Sequence, residues 1–325
     1  MKRKSICGYC YGALEDEDTF FHETCSLKFF GSRTPPVLPY SVSDLDRLAE
    51  EAVRSRITVP GVQAKLSLHL AKGRGAPPRL TIVGPWGAFI LKPPADEYPF
   101  LPETEDMTMH LASIAGIETV PHALMPLSGG RLAYITKRVD RLREKTARTG
   151  EMAKKHMEDL CQLAEKPSEY KYIGSMELMS KLVRKYSSIP GYDLTRFFDL
   201  VLFSFLVGNG DMHLKNVSLI YDDHSGIKLA PAYDLLSTRL IIPERVDPEE
   251  MALPVNGKKR GLDRRDFEAF ARTSGLNEKQ AQNSFERITR KVPEMIAFLR
   301  KGFLPPEKAA EFTRLIQARN QRLQD

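Results

Sequence analysis

The spacing of apolar residues changes character about halfway along the chain. In the first half, residues 57–71 alternate apolar with polar, as at Leu66, Leu68 and Leu70, and Pro60-Gly61 interrupts the run. Side chains alternate faces along a strand, so the pattern predicts a β-hairpin with a tight turn and one buried face. After a loop at 73–78, further strand-like runs stand at 80–83, 88–91 and 132–137. Between them, Leu45, Leu48 and Val53 predict a helix over 43–55 with Ser43 as its N-cap, and a second helix is predicted from about 103 to 115. In the second half the period becomes helical, and helices are predicted over 152–164, 175–185 and 193–207 and through most of the chain beyond 260. Residues 31–40 hold three prolines and read as a linker. The expected class is α+β, a β-rich first lobe over 41–140 and an all-helical second lobe over 141–325, preceded by a short N-terminal segment over 1–40.

Composition narrows the class without choosing a function. The 325 residues are 42% hydrophobic and 28% charged, enough to bury a large core. The longest apolar stretch, 200–207, is far short of the roughly 20 residues that span a bilayer, and Met-Lys-Arg-Lys-Ser at the start leads into no apolar signal region. A cytosolic protein without a membrane span is expected. The net charge is +6, and residues 251–325 carry 16 Lys and Arg against 9 Asp and Glu. Such a basic segment can attract nucleic acid or an acidic protein surface. Its charges also lie at helical spacing among Phe285, Ile288, Val292, Ile296 and Leu299, which equally reads as a solvated helix face.

Three of the four cysteines fall within the first 25 residues. Cys7-Gly-Tyr-Cys10, then His22-Glu-Thr-Cys25 after eleven residues, offer a tetrahedral zinc three sulfurs and one nitrogen. Reduced cysteines packed beside Phe20, Phe21, Phe29 and Phe30 are the alternative.

The densest polar run is Gly208-Asn209-Gly210-Asp211-Met212-His213-Leu214-Lys215-Asn216, between an apolar helix and a strand-like 217–221, and Ala232-Tyr233-Asp234 follows it. Phosphoryl transfer needs hard oxygen ligands for nucleotide-bound magnesium near a carboxylate that orients the nucleophile. Asp211, Asn216 five residues later and Asp234 eighteen beyond that match the order and spacing used by protein kinases. A capped turn explains Asp-x4-Asn by itself. Upstream, Pro60-Gly61-Val62-Gln63-Ala64-Lys65 sits in the predicted hairpin, where a glycine lets backbone N–H groups approach phosphate. Phe89-Ile90-Leu91-Lys92 ends a strand on a lysine, with Glu105 thirteen residues on as a partner and Glu103 and Asp106 as competitors.

Together these motifs resemble the HipA-like serine/threonine kinases, toxins of bacterial toxin–antitoxin systems. The resemblance covers roughly 55–300 and rests on Thr58-Val59-Pro60-Gly61-Val62-Gln63-Ala64-Lys65, Phe89-Ile90-Leu91-Lys92-Pro93, Thr136-Lys137-Arg138-Val139-Asp140-Arg141, His156-Met157-Glu158-Asp159, the 208–216 loop and Pro231-Ala232-Tyr233-Asp234. It implies a two-lobed, phosphatidylinositol-kinase-like fold with ATP in the cleft. Val59, Pro60, Gly61, Val62, Gln63, Ala64 and Lys65 would cover the phosphates and Lys92 would bind them. Lys137, Arg138 and Val139 would form the hinge beside adenine. Asp211 would be the catalytic aspartate with His213 and Asn216 completing the loop, Asn216 and Asp234 would hold magnesium, and Tyr233 would pack on the nucleotide. The implied partners are an aminoacyl-tRNA synthetase as substrate, with or without tRNA bound, and a HipB-like DNA-binding antitoxin.

Two departures qualify the resemblance. The chain lacks most of the N-terminal subdomain of full-length HipA and looks closer to the short HipT-type kinases, which act with a small HipS-like protein. Where relatives carry autophosphorylated loop serines, this chain has Thr58-Val59-Pro60, leaving Thr58, with Ser55 nearby, to accept phosphate and thereby repel ATP. Two other readings remain at this level: a small-molecule kinase of the aminoglycoside or choline type, because the 210–217 run also resembles theirs although Asn209 stands where they usually have histidine, and a zinc-containing nucleic-acid-binding protein using the cysteine cluster and the basic C-terminal region.

Overall fold

Apolar residues at alternate positions build one antiparallel sheet in the first of two units into which the chain divides, Met1–Asp106 with Val120–Ala153 and Met107–Thr119 with Lys154–Asp325. This computed structural model describes residues 6–16, 19–54, 65–71, 77–84, 86–145 and 152–324. The first unit runs α1 (Glu23–Phe30), α2 (Val42–Arg54), β1 (Leu66–Ala71), β2 (Arg79–Ile82), β3 (Phe89–Lys92), α3 (Leu101–Ile114, entering the second unit), β4 (His122–Pro126), β5 (Leu132–Lys137), β6 (Arg141–Lys145) and β7 (Met152–Lys154). Five strands order β2-β1-β3-β5-β4, and β6 pairs with β7 apart from them.

Register explains which side of the sheet becomes core. Leu66 faces Leu91, Leu91 faces Ile135 and Ile135 faces Ala123, a fully buried apolar row across four strands. One residue on, Lys92 faces Tyr134 and Tyr134 faces Leu124, so period-two alternation sends the lysine to the opposite face. The N-terminal residues join the first face: Cys7, Phe21, Phe29, Phe30 and Leu38 share its core, with the Phe29 and Phe30 rings 5.7 and 5.8 Å from Phe89.

The cap of α2 differs from expectation by two residues. Ser41, not Ser43, caps it: Ser41 Oγ accepts the Asp44 N–H (3.2 Å) while Asp44 Oδ2 accepts the Ser41 N–H (2.9 Å). Two seryl hydroxyls stand near this helix start, and the acidic residue three positions after Ser41 decides between them. Ser41→Ala is expected to cost about 1 kcal/mol in denaturant unfolding, and Ser43→Ala less than about 0.5 kcal/mol.

The second unit holds β8 (Met157–Asp159), α4 (Leu160–Leu163), α5 (Met176–Tyr186), α6 (Pro190–Val207), β9 (Ser218–Asp222), β10 (Gly226–Leu229), α7 (Arg264–Thr273), α8 (Glu278–Thr289), α9 (Val292–Leu299) and α10 (Pro306–Gln324). Helices dominate it, but the expectation of an all-helical lobe is corrected by the antiparallel sheet β10-β9-β8. The helix predicted over 152–164 is likewise corrected. Pairing of Met157 with Ile220 and Asp159 with Ser218 draws its middle into a strand, and Asp159 then caps α4, accepting the Gln162 N–H at 2.8 Å. Tertiary pairing outweighs a helical apolar spacing over so short a run.

Helix α6 is the axis of this unit. It is buried along most of its length, with Phe198 edge-on to Phe285 and Phe205 beside Phe267. Among the described residues no helix is long and apolar enough to cross a membrane. Much of the C-terminal basic charge is used internally: Arg287 forks onto Asp199 (2.8 Å), Arg322 pairs with Glu250 (2.6 Å), and buried Arg319 donates to the Phe205 carbonyl (2.6 Å).

Candidate functional site: a polar loop at the end of an apolar helix

Both ends of α6 position the polar residues of the second unit. At its C-terminus Gly208 adopts φ 72°, and a Cβ there would lie 2.8 Å from Leu315 and 2.9 Å from Arg239, so only glycine can end the helix and turn the chain. The Thr238 hydroxyl then bridges the turn, accepting the Gly210 N–H (2.9 Å) and donating to the Gly208 carbonyl (3.2 Å). Toward the N-terminus, fully buried Asp193 accepts the Leu229 N–H (2.7 Å) and Arg196 donates to the Leu229 carbonyl (2.8 Å). These bonds fix the end of β10, from which the chain continues to Asp234.

The loop is organised by its own side chains. Asp211 is exposed; its N–H donates to Asn209 Oδ1 (3.3 Å) and its carboxylate accepts the Tyr172 hydroxyl (2.6 Å). His213 is buried, its N–H donates to Asn216 Oδ1 (3.1 Å), and its Nδ1 accepts the Lys215 N–H (3.3 Å), closing a short 3-10 turn at Leu214–Asn216. Burial pushes the His213 imidazole below its ordinary pKa despite the negative charge of Asp211, which keeps the ring neutral at pH 7. Asn216 Nδ2 donates to Asp234 Oδ2 (3.2 Å), and Asp234 holds the left-handed backbone conformation at φ 58°. Aspartate tolerates that region better than most residues, and a non-glycine there is a feature of functional sites.

Tyr233 braces the loop from below. Its hydroxyl donates to the Lys215 carbonyl (3.0 Å) and meets Ser218 Oγ (2.5 Å). The structure therefore joins His213, Asn216, Asp234 and, through Lys215, Tyr233 in one hydrogen-bonded group, with Asp211 on the same loop bonded separately to Asn209 and Tyr172. It adds Tyr172, Thr238 and Asn209, none of which had been singled out as a site residue. Tyr172 lies 39 residues before Asp211 in a stretch without a motif, and its ring stands edge-on to His213 at 5.0 Å. Burial first, then the hydrogen bond and charge of Asp211, push the Tyr172 phenol above its ordinary pKa, so it stays a proton donor.

The first unit carries its own polar group. Lys92 Nζ is 2.5 Å from Glu105 Oε1, with both side chains almost wholly buried, and lies 5.4 Å over the Tyr134 ring. Of the three acidic candidates on α3, Glu105 is the one paired with Lys92. Asp106 instead accepts from Tyr11 (2.7 Å) and contacts His122 Nδ1 (2.6 Å). Lys137 ends β5, Arg138 forks onto Asp140 (3.0 and 2.9 Å) while its N–H donates to the Ala88 carbonyl, and Lys65 immediately precedes β1. Thr58, Val59, Pro60, Gly61, Val62, Gln63 and Ala64 lie outside the described residues. The ligand atoms of Cys7, Cys10, His22 and Cys25 all fall within 4.8 Å of one another.

The solved structures that share the fold include two of kinase-like type. One is HipA of Shewanella oneidensis MR-1, from its complex with HipB and operator DNA, at 24% identity and TM-score 0.64 over 84% of this chain and 70% of that one. The other is the Helicobacter pylori proinflammatory kinase CtkA, at 14% identity and TM-score 0.52 over 72% and 86%. The class is thus a kinase-like α+β fold. Within it, the chain belongs to the family defined by the HipA-like C-terminal domain, whose pattern matches residues 57–296. Curated relatives include two candidate kinases of Sinorhizobium fredii, Y4mE (33% identical over 68% of this chain and 51% of that protein) and Y4dM (31%, 69% and 55%). A candidate kinase of Haemophilus influenzae is 27% identical over 80% of this chain and 72% of its own. The chain spans about half the length of the two Sinorhizobium relatives.

Proposed function

We propose that the chain is an ATP- and magnesium-dependent serine/threonine protein kinase, the toxin of a bacterial toxin–antitoxin system, acting in the cytosol on an aminoacyl-tRNA synthetase. The observation that carries the reading is the hydrogen-bonded group His213, Asn216 and Asp234, with exposed Asp211 on the same loop at the end of α6, within a fold shared with HipA. Asn216 and Asp234 are neighbours through the Asn216 Nδ2 to Asp234 Oδ2 bond, and the Asn216 carboxamide oxygen, which accepts the His213 N–H, with the Asp234 carboxylate would supply the hard oxygen donors that suit magnesium. When bound, magnesium neutralises charge on the transferring phosphoryl group. Asp211, exposed at the loop tip, orients the acceptor hydroxyl and takes its proton. Neutral His213 holds the loop through its ring nitrogen and its N–H. Lys92, set by Glu105, is the phosphate contact. HipA in the Shewanella complex stands with HipB, and a HipB-like antitoxin, with a small HipS-like protein, is the partner set we assign here.

Tyr172 holds the Asp211 oxygen that an acceptor hydroxyl must reach. Tyr172→Phe is expected to lower the acceptor KM by up to about tenfold with kcat unchanged, the competition of one charge-assisted hydrogen bond. Steady-state kinetics with a synthetase acceptor measures it, and an unchanged KM removes Tyr172 from acceptor entry.

The reading is tested by incubating the purified chain with labelled ATP and magnesium, alone and with a panel of aminoacyl-tRNA synthetases with and without tRNA. Label in one synthetase is the expected result. Label only in a small hydroxylated molecule favours the aminoglycoside-type chemistry, and no ATP binding ends the kinase reading. Intact mass in the same experiment addresses autophosphorylation: Thr58→Ala is expected to lose one phosphate relative to wild type, and equal uptake by both excludes Thr58.

A further inference from the structure

We propose that Cys7, Cys10, His22 and Cys25 bind one zinc ion, and that this ion fixes the loop through which Tyr11 holds α3. The inference is independent of the phosphoryl-transfer reading. Its first support is metric. Cys10 Sγ and Cys25 Sγ lie 3.4 and 3.6 Å from the same nitrogen, His22 Nδ1. Bonds of about 2.3 Å to sulfur and about 2.0–2.1 Å to nitrogen at tetrahedral angles put a sulfur and a nitrogen about 3.6 Å apart. A thiol–imidazole hydrogen bond explains one such contact. It does not explain two sulfurs on one nitrogen with a third within 4.8 Å of every other ligand atom.

The surroundings are those of a ligand set. His22 Nε2 is 3.0 Å from the Ala13 carbonyl, a bond that places the ring proton on Nε2 and leaves the Nδ1 lone pair facing the sulfurs. The chain folds back between the first two cysteines: Tyr11 N–H donates to the Cys7 carbonyl, Cys7 N–H to the Gly12 carbonyl, and Gly12 N–H points at Cys10 Sγ from 3.4 Å. Tyr11 takes φ 60° to close this turn. Gly8 is required beside it, since a Cβ there would sit 2.2 Å from Phe20 and 2.7 Å from the Leu124 carbonyl. Four protein ligands leave no open position, so the centre is structural, and three sulfurs with one imidazole suit zinc. On binding, three thiol protons pass to solvent and the metal takes the three thiolates and the neutral imidazole.

The turn is tied to the rest of its unit at two points. Gly8 donates to the Phe20 carbonyl and accepts the Leu124 N–H, joining the knuckle to β4. Tyr11, one residue past Cys10, sends its buried hydroxyl 2.7 Å to Asp106 Oδ2, whose other oxygen meets His122. Asp106 is next to Glu105. The metal therefore holds a loop that holds the start of α3, the segment on which the partner of Lys92 is mounted.

Elemental analysis and native mass spectrometry of the full chain test the site. The expected result is about one zinc per chain, lost in Cys10→Ser and retained in Cys161→Ser, whose thiol lies in the other unit. Cobalt exchanged into wild type is expected to give thiolate charge-transfer and tetrahedral d–d absorption, a readout that survives if the serine variant folds poorly. Absence of zinc together with an octahedral or featureless cobalt spectrum overturns the site. For the tether, hydrogen exchange over residues 101–106 is expected to quicken when zinc is chelated and in Tyr11→Phe, which keeps its zinc. Unchanged exchange in both overturns the coupling to α3.

Discussion

Asp211→Asn is expected to lower phosphate transfer by about 10²–10⁴-fold while leaving nucleotide affinity and unfolding unchanged. The magnitude is that of a positioned proton acceptor lost from the transition state. The substitution is nearly isosteric, and the loop does not depend on the charge. Asp211 is anchored by its own N–H to Asn209, and a carboxamide oxygen still accepts from Tyr172. Single-turnover transfer from labelled ATP, compared with nucleotide binding and a thermal melt, separates chemistry from folding. Transfer at the wild-type rate would remove Asp211 from the reaction and leave it a turn residue. A matching loss of nucleotide binding would instead place it among the groups that hold ATP.

What could be read from the sequence follows from the range of the interactions involved. Helix α6 was legible because its apolar residues recur at helical spacing up to a glycine that ends it, and both signals are local. Strands β3 and β5 were legible because Leu91 and Ile135 sit in runs whose alternate faces are both buried. Strand β8 was not: Met157 and Asp159 owe their extended backbone to Ile220 and Ser218, some sixty residues away. The same limit applies to the loop. The order and spacing of Asp211, Asn216 and Asp234 stand in the sequence, as do the cysteine and histidine pairs. Tyr172 on Asp211, Thr238 under Gly210 and Tyr11 on Asp106 are pairings across 39, 28 and 95 residues, and no local pattern marks either partner. The choice among Glu103, Glu105 and Asp106 was open for a geometric reason. All three lie on the first turns of one helix, and only the face each presents decides which meets Lys92.

That choice has the largest consequence for stability. Glu105→Ala is expected to destabilise the protein by about 3–5 kcal/mol, because it leaves the Lys92 ammonium buried without its counter-charge. The side chains are 5% and 1% exposed at 2.5 Å, so water cannot take over the role of the lost carboxylate. A contact between two exposed charges would be worth at most about 1 kcal/mol and would fade as salt screens it. The double variant Lys92→Met/Glu105→Leu is expected to recover most of the loss. Replacing a buried pair by apolar groups of similar size removes the desolvation cost together with the attraction. Denaturant unfolding of both singles and the double, at low and high salt, completes the cycle. A double variant as unstable as the sum of the singles would show two independent packing roles. Recovery of stability without recovery of phosphate transfer would show that the fold tolerates an apolar pair here, and that the charge on Lys92 is kept for phosphate.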